Sequence, residues 1–442
     1  MLGLLSIKTN RLALLAGLVA TAVVGSSSAN ATSIERVVSP GGIEAWLVQE
    51  DAVPLIAMSF AFVGGTAQDP ADKPGVANML SGLLDEGAGP LDSEAFQLAL
   101  TDNSISLSFD AGRDTFRGSV RALIEDKDEA ARLLELALTE PRFDPEPVER
   151  IRAQILTNIR ADENDPGEQA GTALMKALFP DHPYGQPSEG TADSVAAITV
   201  EDLRTYFGKI VARDNLKIAV VGAINAESLA PLLDEVFGDL PPKANRVGLA
   251  DVDPEVGDSI DIPMAIPQTL IQLAGNGMQR DDPDFVAASV ASYILGGGGF
   301  TSRLYEEVRE ERGLAYSISL GLAPLDNSGL VFVSTSTRSD QADAVVALIE
   351  NEISRFAKEG PTEQELADAK AYLIGSYPLR FDTSRSIASQ LLAIQLDNLG
   401  IDYVDRRNDL ISAVTIDDVR RAAARLFGEG DMTIVRVGQP TG

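Results

Sequence analysis

The sequence predicts an α+β protein of two homologous halves, each an α/β-sandwich-like domain with a mixed or antiparallel sheet covered by helices. Three observations predict it. The chain repeats itself. Each copy opens with alternating β-branched runs and continues into amphipathic helices and further strands. A polar, proline-containing stretch separates the copies.

The repeat runs without gaps. Residues 196–222 read AAITVEDLRTYFGKIVARDNLKIAVVG, and residues 412–438 read SAVTIDDVRRAAARLFGEGDMTIVRVG. Thr199 maps to Thr415, Asp202 to Asp418, Arg204 to Arg420 and Gly222 to Gly438, at a constant offset of 216 residues. In each copy Thr caps a helix with an acid in its first turn, and a β-branched strand ends at Gly. A second pair, FDPEPVERIRAQIL (143–156) and PTEQELADAKAYLI (361–374), repeats at nearly the same offset. Any two amphipathic helices look alike. Two pairs in one order and spacing exceed that coincidence.

The halves span about 35–238 and 258–440, with a linker at 239–257 that contains Pro241-Pro242. Strands are expected at IEAWLVQ, LIAMSFAFV, SISLSFDAGRDTFRGSVRAL, TLIQLAG, AYSISLGL and GLVFVSTST.

Composition narrows the function. A chain of 442 residues is long enough for two sizeable cores. A formal net charge of −30 repels nucleic acid and anionic membrane. Cysteine is absent, which excludes disulfides and thiolate chemistry, and there is one histidine, His182. The first 31 residues read as a secretory signal: Lys8 and Arg11, then the apolar run Leu12–Gly25, then the A-x-A site Ala29-Asn30-Ala31. The run is short for a spanning helix. Export to a bacterial periplasm follows as an expectation, with no membrane span once the signal is cleaved.

Residues 75–87, GVANMLSGLLDEG, predict a helix between glycines. Its buried stripe would be Val76, Met79, Leu80, Leu83 and Leu84, with Asp85 and Glu86 at its solvated end. His182, in the Pro-flanked loop FPDHPYG, is expected to make a structural hydrogen bond.

Taken in order, GGTAQDPADKPGVANMLSGLLDEG, FPDHPYG and LGGGGFTSRLYEEVREERGLAYSI (295–318) resemble the pitrilysin/insulinase family of zinc metallopeptidases, in its processing-peptidase-like branch. The resemblance covers nearly all of the chain after the signal. It implies two homologous α+β domains forming half of a clamshell around a peptide chamber. Active members carry H-x-x-E-H on a first-half helix, with a distal Glu as third ligand. Two His at i and i+4 share a helix face and grip zinc, and the Glu activates water. Here those positions fall on Asn78, Ser81, Gly82 and Asn158. Amide and hydroxyl groups bind zinc poorly and glycine offers nothing, so no metal or other cofactor is expected in this chain.

The resemblance also implies an Arg and a Tyr, seven residues apart, that close over substrate from the second half. They fall on Arg309 and Tyr316. A guanidinium and a phenol can stabilise charge developing on a scissile carbonyl. The competing account has Arg309 paired with Glu306 or Glu310 and Tyr316 packed in a sheet. The family's glycine-rich loop near bound peptide falls on Gly297, Gly298 and Gly299. An emptied zinc half beside a retained Arg/Tyr half implies a heterodimer. A homologous H-x-x-E-H subunit would hold the zinc, and this chain would supply Arg309 and Tyr316 in trans. Two alternatives stay open: a non-catalytic subunit resembling the core subunits of the respiratory cytochrome bc complex, and a self-paired peptide-binding chamber.

Overall fold

A computed structural model describes residues 33–428 and 431–439. The predicted signal, residues 1–31, lies outside the described residues.

Two sheets form. The first joins β1 (Ile34–Val38), β2 (Glu44–Gln49), β3 (Leu55–Val63), β4 (Ser106–Ala111), β5 (Thr115–Leu123) and β6 (Leu216–Gly222) in the order β1-β2-β6-β3-β5-β4. The second joins β7 (Ser259–Pro263), β8 (Gln268–Asn276), β9 (Ala315–Leu325), β10 (Ser328–Arg338) and β11 (Thr433–Gly438) in the order β7-β11-β8-β10-β9. Both are mixed. β6 runs parallel to β2 and antiparallel to β3, and β11 runs parallel to β7 and antiparallel to β8. The repeat therefore extends to the sheet order around its last strand. Strands β1 and β7, five residues each, were not expected from sequence.

The repeat's caps form as its residues dictate. Thr199 accepts from the backbone N–H of Asp202 while the Asp202 carboxylate accepts from that of Thr199, and Thr415 and Asp418 do the same. Each capping box satisfies two otherwise orphaned amide groups at a helix start.

One face of each sheet is covered by helices of its own half. Phe60, Phe62, Phe116 and Phe237 anchor the first core, and Ile271, Val333, Ile349 and Phe356 lie in the second. The other face is covered from across the molecule. Helix Pro166–Leu178 belongs to the first half, yet its Ala170, Leu174 and Leu178 pack on Ala274, Val435 and Val437 of the second sheet. Helix Ser384–Leu396 returns the exchange: Ala388, Leu391 and Leu392 pack on Trp46, Val48 and Ala219 of the first sheet. The two helices start 218 residues apart, the spacing of the repeat. From Ile34 onward the chain is accordingly one compact unit.

The predicted linker is mostly exposed but fastened down. Gln68 bonds both the N–H and the C=O of Val247, Val252 donates to the Asn327 carbonyl, and Glu255 donates to that of Leu178.

Candidate functional site

The first-half motif lies on a shorter helix than its glycine limits suggest. Helix Val76–Ser81 ends at Gly82, and turns follow. Its predicted stripe is buried throughout, from Val76 to Leu84. The start is set by Gly75, whose φ of 97° is a left-handed conformation, and by Asp69. The Asp69 carboxylate accepts from the amides of Gly75 at 2.8 Å and Ala77 at 2.9 Å. Burial outweighs those bonds and the nearby Lys209, and pushes Asp69 up to about 7.

Asp85 and Glu86 do not mark a solvated end. The Glu86 side chain is 12% exposed, paired with Arg150 at 2.5 Å and with the Ser93 hydroxyl. Asp85 is half-buried, and burial, with Glu86 beside it, raises its pKa to about 6. The Glu86 carboxylate and the Asp85 backbone carbonyl, which accepts from the Gln97 side-chain amide at 2.9 Å, fasten the turn to neighbouring helices.

The positions that would ligate zinc in active relatives do not form a metal site. Asn78 is half-buried, and the Ser81 hydroxyl donates to the Asn78 carbonyl at 2.8 Å. A side chain at Gly82 would begin 3.2 Å from Ile151 Cγ2, so helix Pro145–Asp162 already fills that space. Asn158 lies two turns beyond Ile151 on the same helix and is exposed. These residues do not fit zinc in donor type, and a side chain at position 82 would press on Ile151. Among the described residues no cluster of three His, Cys, Asp or Glu side chains could hold a metal ion.

His182 is structural. Its Nδ1 accepts from the Tyr184 amide at 3.2 Å and its ring stacks edge-on against Tyr184. Burial lowers its pKa.

The second half presents the other set of residues. Two π-helical segments, Tyr293–Gly297 and Glu306–Glu310, flank the glycine loop. Gly298 donates to the Tyr293 carbonyl and Glu311 to that of Glu306, both five residues back. The segment predicted as a helix through Arg309 is thus widened where Arg309 sits, a feature frequent at functional sites. Its end is widened too. Gly313, at φ 62°, donates to the Arg309 carbonyl and Leu314 to that of Val308, each one residue longer than in a Schellman closure. Gly297 and Gly299 are exposed, while Gly298 lies against Tyr293. Gly296 is the close approach: a Cβ there would meet Leu320 Cβ at 2.5 Å.

Tyr316 does not pack in the sheet. Simple alternation would put it on the face of the buried Ile318 and Leu320. A β-bulge intervenes: Ile318 pairs with Thr335 and Ala315 with Thr337, so Tyr316 and Ser317 face one residue, Ser336. The bulge turns Tyr316 outward, 79% exposed. Two threonines of β10 stabilise it. Thr335 donates to the Ser317 carbonyl at 2.7 Å and Thr337 to the Leu314 carbonyl at 2.5 Å.

Arg309 and Tyr316 meet. The guanidinium carbon lies 4.6 Å from the Tyr316 ring centroid. The expected ion pairing is weak: among the described residues Arg309 has one carboxylate within 4 Å, Glu310 at 3.9 Å, and not Glu306. Sequence reasoning missed two members of the cluster, Phe300 and Tyr305. Their rings lie 5.7 and 5.0 Å from the same carbon. The signal was the aromatic spacing 300, 305, 316 around Arg309, which has no helical or strand period.

The family model described as the peptidase M16 inactive domain matches residues 197–373. The chain is 28% identical to the non-peptidase homolog YmxG of Helicobacter pylori over 76% of this chain and 77% of that one. It is 27% identical to an uncharacterized zinc protease of Streptomyces coelicolor, covering 90% and 88% of the two. A crystal structure of a peptidase M16 inactive domain from Pseudomonas fluorescens superposes with a TM-score of 0.87 at 29% identity, over 93% of this chain and 98% of that one. These likenesses span both halves: the chain is similar to M16 peptidase homologues over most of its length, and its residues 197–373 match the family's inactive-domain model.

Proposed function

We propose that this chain is the zinc-less subunit of a heterodimeric periplasmic metallopeptidase. It supplies Arg309 and Tyr316 to the zinc site of a homologous H-x-x-E-H subunit, and its first half builds chamber wall. The supporting observation is the asymmetry between halves. The motif positions of the first half lack zinc ligands, while Arg309 and Tyr316 sit together at the surface of the second. Tyr316 stands near the start of β9, the edge strand of its sheet, so an extended peptide beside it can pair with free backbone groups. Gly297, Gly298 and Gly299 leave that approach without side chains.

The test is hydrolysis of a quenched fluorescent peptide library by this chain, by an H-x-x-E-H partner and by their mixture, with zinc present. Activity in the mixture alone supports the proposal. Chelator-sensitive activity of this chain alone overturns it. Export is tested by N-terminal sequencing of the mature protein, expected to begin at Thr32.

A second reading is a non-catalytic binding or structural subunit. The name of the Helicobacter pylori relative, a non-peptidase homolog, favours it. A partner fully active alone and indifferent to this chain would select it.

A further inference from the structure

Arg309 is held differently from the arginines around it. Arg303 grips Glu365, and Arg312 and Arg355 grip Glu307, each through charge-assisted hydrogen bonds. Arg309 donates no hydrogen bond among the described residues, and its contact to Glu310 is 3.9 Å. What surrounds it is aromatic. Tyr316, Tyr305 and Phe300 lie 4.6, 5.0 and 5.7 Å from the guanidinium carbon. Phe300 stands edge-on against Tyr305, centroids 4.9 Å apart, and is itself 76% exposed. Tyr305 is buried, and among the described residues its hydroxyl has no partner. A phenylalanine that exposed does little for a core. A tyrosine hydroxyl buried unbonded costs stability.

From these contacts we infer that Phe300 and Tyr305 are positioning residues: they hold the Arg309 guanidinium beside Tyr316 by cation–π contact, in place of a carboxylate partner, and so keep its N–H donors available. An aromatic ring accepts from a guanidinium far more weakly than a carboxylate does, so a ring contact leaves the donors available to a stronger acceptor. A carboxylate partner would consume two. Glu306 and Glu310, the acids on either side along the chain, are the competing partners that the aromatic hold keeps away. The use of the free donors, on a substrate carbonyl at the partner's zinc site, rests on the shared-site proposal. The hold itself does not.

The test keeps the two apart. Crystal structures of the wild type and of Phe300→Leu/Tyr305→Leu read the hold directly, with Phe300→Tyr and Tyr305→Phe as ring-preserving controls. Arg309 is expected to leave Tyr316 for Glu306 or Glu310 in the double variant and to stay in both controls. In the mixture with the H-x-x-E-H subunit, the double variant is expected to lower kcat about tenfold or more with KM within about twofold, because a misplaced group costs rate more than binding. The controls keep both constants. If the double variant fails to fold, Phe300→Leu alone is used, since Phe300 is on the surface. An Arg309 that stays over Tyr316 without these rings overturns the inference, as does a kcat loss equal in the controls. Should Arg309→Ala leave the mixture's activity unchanged, the shared-site proposal falls, and the position of Arg309 in the crystals still decides the hold.

Discussion

The Tyr184 hydroxyl joins the two halves: it donates to Asp114 at 2.6 Å and accepts from the backbone N–H of Asn327 at 3.1 Å. Asp114 sits in the β4–β5 connection of the first half and Asn327 in the β9–β10 turn of the second. Asp114 also accepts from the Asp326 amide at 3.1 Å, so one phenol and one carboxylate fix that turn. β9 enters the turn, and β9 carries Tyr316. The junction of the halves and the surface cluster therefore share a strand.

Tyr184→Phe removes the bridge and leaves a carboxylate and an amide short of partners. Unfolding in urea is expected to show a loss of about 1–3 kcal/mol. A change below about 0.5 kcal/mol would mean that water replaces the phenol.

The exchanged helices make the halves mutually dependent. Leu174→Ala and Leu391→Ala, each at a nearly fully buried position facing the other half's sheet, are expected to cost about 2–5 kcal/mol apiece. Calorimetry should show one transition in wild type and in both variants. Two separated transitions in the wild type would contradict the interlock.

Restoring the motif letters should not restore a zinc site. Asn78→His, Ser81→Glu, Gly82→His and Asn158→Glu together supply the donors, but Ile151 stands 3.2 Å from where the side chain at 82 begins. Stoichiometric zinc by metal analysis is expected only when Ile151→Ala is added. Full zinc binding without that change would show that ligand identity alone was lost.

Asp69 gives a pH dependence. Its pKa in the fold, about 7, lies above the ordinary carboxyl value of 3.8. The fold therefore favours its protonated form. That contribution to stability is complete below the ordinary value and is lost as pH rises through about 7. The melting temperature is expected to fall between pH 5 and 8, and Asp69→Asn to flatten that slope. An unchanged slope in the variant would assign the effect to other groups.

At the surface cluster, Tyr316→Phe should barely alter stability, because the side chain is 79% exposed. Surface changes of this kind stay within about 0.5 kcal/mol. Loss of one oxyanion-stabilising donor in the two-subunit mixture should cost about 10²–10³ in kcat. Equal kcat for wild type and variant would remove the phenol from the chemistry.

What the sequence by itself determined is local. Thr199-x-x-Asp202 and Thr415-x-x-Asp418 set the same helix start twice, because a capping box is a four-residue event. The stripe from Val76 to Leu84 announced a buried face, and Asn78, Ser81 and Gly82 announced that it carries no zinc ligands. Most strands were legible from alternating or β-branched runs, whereas the five-residue β1 and β7 were passed over, β7 despite the alternation Ser259-Ile260-Asp261-Ile262. Those two are short strands at sheet edges and are largely exposed, which leaves too little signal for a strand to stand out. Tertiary structure decided the rest. Periodicity says that helix 166–178 has an apolar face but not which sheet it covers, and the answer was the other half's. The outward aim of Tyr316 depends on a bulge opposite Ser336, pinned by hydroxyls of Thr335 and Thr337 on a different strand. The aromatic hold on Arg309 draws residues from a loop, a short helix and a strand. Their proximity is a product of packing, and packing brings together residues whose separation in the chain follows no period.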